Sequence, residues 1–148
     1  MEVQQDFKKL FALLNKHEVE FIIVGGYALA FHGAPRFTGD MDIFVRPSPE
    51  NASRVLEALN EFGFGSADLK KEDFYTPKRV VQLGVPPIRV DMITSLTGVS
   101  WEEAFAAKSP GSYGGVPVFF IGRNEFINNK RSMGRKKDLA DIEALGEE

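Results

Sequence analysis

Apolar positions along the chain follow helical spacing in some stretches and form short continuous runs in others. From Phe7 to Leu14 they recur at i, i+3, i+4 and i+7, which predicts an amphipathic helix over residues 4 to 16. The next apolar run, residues 21 to 24, is too short for a helix and rich in β-branched residues, so it predicts a buried strand. Patterns of both kinds recur to the end of the chain, which indicates an α/β (α+β) protein.

Local capping and turn signals predict the later elements. Ser48 is expected to cap a helix that runs to about residue 62, and Ser100 with Glu103 forms a capping box ahead of a short helix. Pro117 predicts an edge strand because proline cannot donate to a sheet ladder. The elements expected after residue 62 are an irregular stretch at 63–76, strands at 79–83 and 88–93, a helix at 101–107, a turn-rich stretch at 109–115, a strand at 116–121, and helices at 123–133 and 135–145.

A pair of carboxylates stands on the strand that follows residue 39. Asp40 and Asp42 are two positions apart and therefore point to the same side of the sheet. Two adjacent negative charges in an apolar strand repel each other and lose hydration, which is costly unless a cation compensates them. Mg²⁺ is suited to this role because it takes carboxylate oxygens together with substrate phosphates.

A Gly25–Gly26 pair separates the first strand from a helix-like segment at 27–31. Backbone without Cβ lets a phosphate approach closely, and the N–H groups that open a helix point towards an anion. Alone, such a pair is most often a tight turn, and a lone Asp-x-Asp is most often surface decoration. An EF-hand loop is excluded because Phe44 and Val45 fill positions that need an oxygen ligand and a glycine. In this order and spacing the two signals are more specific than either alone.

The combined pattern resembles the DNA polymerase β-like nucleotidyltransferase superfamily. That signature is an apolar residue, Gly, Gly or Ser, about ten further residues, and then Asp-apolar-Asp-apolar, here Asp40-Met41-Asp42-Ile43. The Arg36-x-Thr38-x-Asp40 lead-in is most similar to the small bacterial AbiEii-type toxin nucleotidyltransferases. The resemblance covers nearly the whole chain. It implies one nucleotidyltransferase domain over residues 1–148, with a mixed β-sheet flanked by helices and a short helical tail from about residue 122.

The resemblance also implies roles for individual residues. Asp40, Asp42 and Asp91 would be catalytic and would bind two Mg²⁺ ions, with Mn²⁺ as an alternative, and Asp91 would help to deprotonate the acceptor hydroxyl. The residues expected to contact the nucleotide phosphates are Gly25, Gly26, Arg36, Lys130 and Lys137. Lys137 belongs to the segment Arg135-Lys136-Lys137-Asp138, which resembles a basic motif across the cleft from the metal site. Without the resemblance, a structural role for Asp91, as a strand-end cap or as a salt-bridge partner of Arg89, is as plausible as a catalytic one.

Composition narrows the functional classes. The chain has 148 residues, a formal net charge of −3 and no cysteine, so thiol chemistry is excluded and a reducing cytoplasm is the expected location. No apolar run is long enough to span a bilayer, and no membrane association is expected. Basic residues crowd into the C-terminal part, where they form either a solvated helix face or a surface for polyphosphate.

The acceptor of the transferred nucleotide stays open at this point. An RNA end such as that of tRNA, a protein hydroxyl and a small drug-like alcohol are all compatible with the sequence, and a toxin role would need an antitoxin partner. Two other classes of function compete with a nucleotidyltransferase. One is a non-catalytic module that binds nucleotide or docks a partner, and the other is a structural domain whose aspartates form ordinary salt bridges.

Overall fold

A computed structural model of the protein describes residues 3–34, 39–65 and 68–147. The helices are α1 (Gln5–Lys16), α2 (Gly25–Phe31), α3 (Pro49–Leu59), α4 (Trp101–Ala106), α5 (Arg123–Met133) and α6 (Lys136–Ala144), with a π-helical segment at Asn60–Phe64 and a 3₁₀ helix at Lys71–Phe74. The strands are β1 (Phe21–Val24), β2 (Asp40–Val45), β3 (Val80–Val85), β4 (Ile88–Ile93), β5 (Ser109–Tyr113) and β6 (Val116–Phe120). Arg36 and Thr38, named in the sequence motif, lie outside the described residues.

The six strands form one mixed sheet in the order β3-β4-β2-β1-β6-β5. β2 lies between β1 and β4 in the sheet: it pairs antiparallel with β1 and parallel with β4. Burial alternates over its first four residues: Met41 and Ile43 are fully buried in the main core, while Asp40 and Asp42 lie on the other side of the sheet. Phe44, on the face of the two aspartates, is buried again, so the polar part of that face is confined to the start of the strand.

Helix termini follow the capping signals of the sequence. The Ser48 hydroxyl accepts a hydrogen bond from the Asn51 N–H at 3.2 Å, with Pro49 in the first position of α3. Ser100 and Glu103 exchange the two hydrogen bonds of a capping box at the start of α4. Gly134 ends α5 in the left-handed conformation, with φ of 66°, so the chain can turn into α6. The predictions of the Ser48 cap and of the capping box formed by Ser100 and Glu103 are confirmed.

Two expectations about the second half of the sheet are wrong. Residues 109–113 form the edge strand β5 rather than a turn-rich stretch, and β6 lies inside the sheet between β1 and β5. Pro117 is accommodated because β1 pairs with β6 only at Ile23 and Phe120, so no strand lies beside Pro117 on that side. Tyr113 anchors β5 in the core through edge contacts with the rings of Phe11 and Tyr27.

Candidate active site

Three carboxylates meet on the polar face of the sheet. In the parallel pairing of β2 and β4, Asp42 is in register with Asp91, and Asp40 is in register with Arg89. Residues in register on adjacent strands point to the same side, so Asp40, Asp42 and Asp91 share one face. Asp91 therefore comes from the strand next to the one that bears Asp40 and Asp42.

The Gly25 turn places backbone directly against one of these carboxylates. Gly25 has φ of +71°, a conformation that L side chains rarely adopt, and a Cβ built on it would overlap the Asp42 carboxylate. α2 begins at Gly25 itself, two residues earlier than the sequence pattern indicates. The start of the helix and the Asp42 side chain therefore form one compact corner that only glycine permits.

The pKa of the Asp42 carboxyl is shifted upwards, from 3.8 to about 6. Burial is the largest cause, repulsion from Asp91 and then Asp40 acts in the same direction, and Lys130 and Arg89 oppose the shift. A carboxyl group whose ionised form is disfavoured by neighbouring negative charge gains most from an added cation. The electrostatics of this corner thus favour a cation or a ligand that brings one.

Arg89 brings positive charge to two of the carboxylates, Asp91 and Asp40. Its Nε donates to Asp91 Oδ1 at 3.0 Å and its Nη2 donates to Asp91 Oδ2 at 3.1 Å, while Nη1 lies 3.8 Å from Asp40 Oδ2. The salt-bridge interpretation of Asp91 is therefore correct for this structure, and it does not exclude the catalytic one. Arg89 was missed as a site residue, although its position two residues before Asp91 already placed it on the same face.

The donor set suits a hard divalent cation chemically, because Mg²⁺ needs only one or two carboxylates when substrate phosphates complete its coordination. In the described part of the chain, no group of three or more His, Cys, Asp or Glu side chains is arranged to hold a metal ion. Arg89 donates one hydrogen bond to each oxygen of Asp91, and each of these oxygens keeps a second lone pair. The carboxylates therefore fit a metal in charge and chemistry.

A cavity of about 220 Å³ adjoins Asp42 on the side of the C-terminal helices. Its lining brings together four of the five residues expected to contact phosphates: Gly25, Gly26, Lys130 and Lys137. Neither Asp40 nor Asp91 lines this cavity, so the carboxylate group stands at its rim. The fifth residue, Arg36, lies outside the described residues.

A buried ionic network holds the lysine of α5 in place. Lys130 Nζ lies 3.5 Å from Asp138 Oδ1 and 3.5 Å from Asp141 Oδ2. Asp138 is fully buried and also accepts from Arg135 Nε at 2.6 Å, which keeps the pKa of the Asp138 carboxyl low. Lys137 lines the cavity, whereas its neighbour Asp138 belongs to this buried network.

His32 and Trp101 are structural residues in this arrangement. The His32 Nε2 lies 2.6 Å from the carbonyl oxygen of Ile121, and this contact ties the end of α2 to the end of the β6 strand. Trp101 is buried and packs edge-on against Phe44 with ring centroids 5.1 Å apart.

Comparison with known protein families assigns the chain to a family. The family model described as nucleotidyl transferase AbiEii toxin, type IV TA system, matches residues 9–104, which is more than half of the chain. The chain belongs to the AbiEii nucleotidyltransferase toxin family. Its enzyme class is accordingly that of the nucleotidyltransferases, as the Gly-Gly and Asp-x-Asp pattern indicates. No curated protein sequence matches this AbiEii family member.

Solved structures share the fold of this family member. A protein from Thermotoga maritima described as a nucleotidyltransferase aligns with a TM-score of 0.66 at 14% identity, over 94% of this chain and 89% of that chain. The lincosamide antibiotic adenylyltransferase LnuA, solved with lincomycin bound, gives 0.64 at 12% identity, over 97% and 96%. The antibiotic-resistance factor ANT(2'')-Ia gives 0.62 at 13% identity, over 95% and 80%. These likenesses confirm the predicted nucleotidyltransferase fold.

None of the described helices combines the length and the apolar character needed to cross a bilayer.

Proposed function

We propose that this protein transfers a nucleoside monophosphate from a nucleoside triphosphate to a hydroxyl group of an acceptor. The observation that carries the proposal is the position of Asp42, which lies against the Gly25 turn, in register with Asp91 and at the rim of a cavity lined by Lys130 and Lys137. Carboxylates and phosphate-binding groups thus adjoin one another, as in-line attack on an α-phosphorus requires.

The cavity would receive the β- and γ-phosphates. Gly25 and Gly26 offer backbone that can approach an anion, and Lys130 and Lys137 offer charge-assisted hydrogen bonds that neutralise the departing pyrophosphate. Arg36 is proposed as a further phosphate ligand on the sequence motif alone. Lys130 is held by Asp138 and Asp141, so its ammonium group is positioned before the nucleotide arrives.

Asp40, Asp42 and Asp91 would hold divalent cations, with Mg²⁺ the first candidate and Mn²⁺ an alternative. Bound there, such cations would stabilise charge on the attacking and leaving oxygens. Asp91 would also accept the proton of the acceptor hydroxyl, and its two hydrogen bonds with Arg89 leave one lone pair on each oxygen for this. We further propose that the protein is a toxin with an antitoxin partner, which the family description supports. We also propose that it acts in the cytoplasm.

The test is transfer of label from each of the four α-³²P nucleoside triphosphates, with Mg²⁺, into a bacterial lysate, followed together with pyrophosphate release. We expect Asp42→Asn and Asp91→Asn to lower transfer by roughly 10²-fold or more, because each removes a charged group needed in the transition state. Asp6→Asn, an exposed carboxylate on α1, is the matched control and should leave transfer unchanged. Equal transfer by Asp42→Asn and the wild type would refute the mechanism.

A second candidate function is nucleotide binding without chemistry. The observation that favours it is the pair of hydrogen bonds from Arg89 to Asp91, because these bonds can persist while the cavity binds phosphates. This function predicts that Mg²⁺ with nucleotide raises the melting temperature while no pyrophosphate is released with any nucleotide.

A further inference from the structure

The edge strand β3 extends the polar face of the sheet beyond the carboxylates. Gln82 is in register with Asp91, which in turn is in register with Asp42, so these three residues form one row across the strands. Gly84 is in register with Arg89 in the next row. We call the exposed residues Val80, Gln82 and Gly84 on this face the β3 strip.

The two faces of β3 differ in what covers them. Leu83 is buried and Val81 packs against the core, so the inner face belongs to the fold. The residues of the β3 strip are exposed, and the Gln82 amide makes no hydrogen bond to any residue within the described ranges 3–34, 39–65 and 68–147. Among those residues, the strip therefore offers a polar group with unused donors and acceptors beside Asp91.

The geometry of in-line transfer relates this strip to the reaction, and the argument rests on the proposed function. The attacking oxygen and the departing pyrophosphate must lie on opposite sides of the α-phosphorus. The cavity is lined by Gly25, Gly26 and Lys130 and, from β4, by Ile93, but no residue of β3 lines it. Asp91 and Gln82 follow Asp42 along one row of the sheet, in the direction away from β1 and the Gly25 turn.

We propose that the acceptor binds over the β3 strip and that Gln82 contacts it and helps to set acceptor specificity. An amide can both donate and accept hydrogen bonds, so it suits a hydroxyl-bearing group. The strip carries no charged side chain, and Val80 adds apolar surface with 57% of its area exposed. The part of the acceptor next to the reacting hydroxyl is therefore uncharged, as in a sugar or an alcohol.

The absence of cysteine from the chain permits a direct test. Gln82→Cys introduces a single thiol that can be alkylated with fluorescein maleimide, which is bulky, or with iodoacetamide, which restores a terminal amide. Each adduct is assayed for transfer from α-³²P nucleoside triphosphates into the RNA fraction and the low-molecular-weight fraction of a lysate. Nucleotide binding is followed separately as the thermal shift with Mg²⁺ and nucleotide. Ala12→Cys, exposed on α1, receives the same two reagents as the control.

We expect the fluorescein adduct of Gln82→Cys to lose transfer by at least about tenfold while its nucleotide-dependent thermal shift is retained, because the block is on the acceptor side. The iodoacetamide adduct should recover transfer, and both adducts of Ala12→Cys should behave as the wild type. The fraction that becomes labelled identifies a ribose end or a free alcohol as the source of the hydroxyl. Full transfer by the fluorescein adduct would overturn the assignment of the β3 strip. Absence of transfer in the unmodified wild type would instead overturn the proposed function.

Discussion

At the scale of single residues, the ionisation of Asp42 makes a prediction about pH. Its folded-state pKa of about 6 lies above the ordinary value of 3.8, so the folded protein binds an extra proton between these pH values. Stability therefore falls as the pH rises through that range in metal-free buffer. We expect Asp42→Asn to raise the free energy of unfolding by up to roughly 3 kcal/mol at pH 7.5 and to make little difference below about pH 4. Urea denaturation at several pH values in the presence of EDTA measures this.

The control for that prediction is Asp6→Asn, an exposed carboxylate of α1. It should change the free energy of unfolding by only a few tenths of a kcal/mol at any of these pH values. A metal-free Asp42→Asn variant that is no more stable than the wild type at pH 7.5 would show that the carboxylates do not repel one another as described.

The sequence pattern predicted the carboxylates of the site but not Arg89, the cation that pairs with them. Asp40 and Asp42 stood out because both are carboxylates at a spacing of two on an apolar strand. The same spacing rule puts Arg89 beside Asp91, but the register that also brings Arg89 next to Asp40 depends on a pairing between distant strands. Local spacing could therefore identify the charged groups, whereas their mutual contacts required the sheet.

At the scale of elements, the turn between β1 and α2 should be intolerant of any side chain. Gly25→Ala combines a positive φ of +71° with an overlap between the new Cβ and the Asp42 carboxylate. Gly115→Ala is the matched control, since its φ is +87° and a Cβ there meets nothing within 4 Å. Both should lose about 1–2 kcal/mol of stability from backbone strain. Only Gly25→Ala should also lose the thermal shift caused by Mg²⁺ with nucleotide; equal retention of that shift in both variants would contradict the proposed corner.

The element that the sequence failed to reveal is β5. Its residues, SPGSY, lack the alternation of apolar and polar side chains that marks a strand, and Pro and Gly within it indicate a turn. Tertiary contacts decide the outcome: β5 pairs along its whole length with β6, and a Cβ at Gly111 would meet the stacked rings of Phe31 and Phe120. Gly111 permits these rings to pack closely against β5, and this role cannot be recognised without the folded structure.

At the scale of the whole molecule, the cavity joins two distant parts of the chain. Gly25, Gly26 and Asp42 come from the first third, and Lys130 and Lys137 come from the C-terminal helices. A ligand that contacts both parts should stabilise them together, since binding to the folded state alone adds about 2.7 kcal/mol at a concentration 100 times the Kd. Exchange of the α2 and α6 amides through local opening should therefore slow in parallel when Mg²⁺ and nucleotide are added, by up to roughly 100-fold. Amides that exchange through global unfolding slow wherever they lie and do not report the contact.

The variant Lys137→Met separates this coupling from simple binding at the Gly25 turn. Lys137 is exposed and lines the cavity, so its loss should leave the fold intact while it removes a contact between α6 and the phosphates. We expect nucleotide to protect α2 in this variant while protection of α6 is reduced. Protection confined to α2 in the wild type would show that the C-terminal helices do not close on the nucleotide, and the phosphate role of Lys130 and Lys137 would then be wrong.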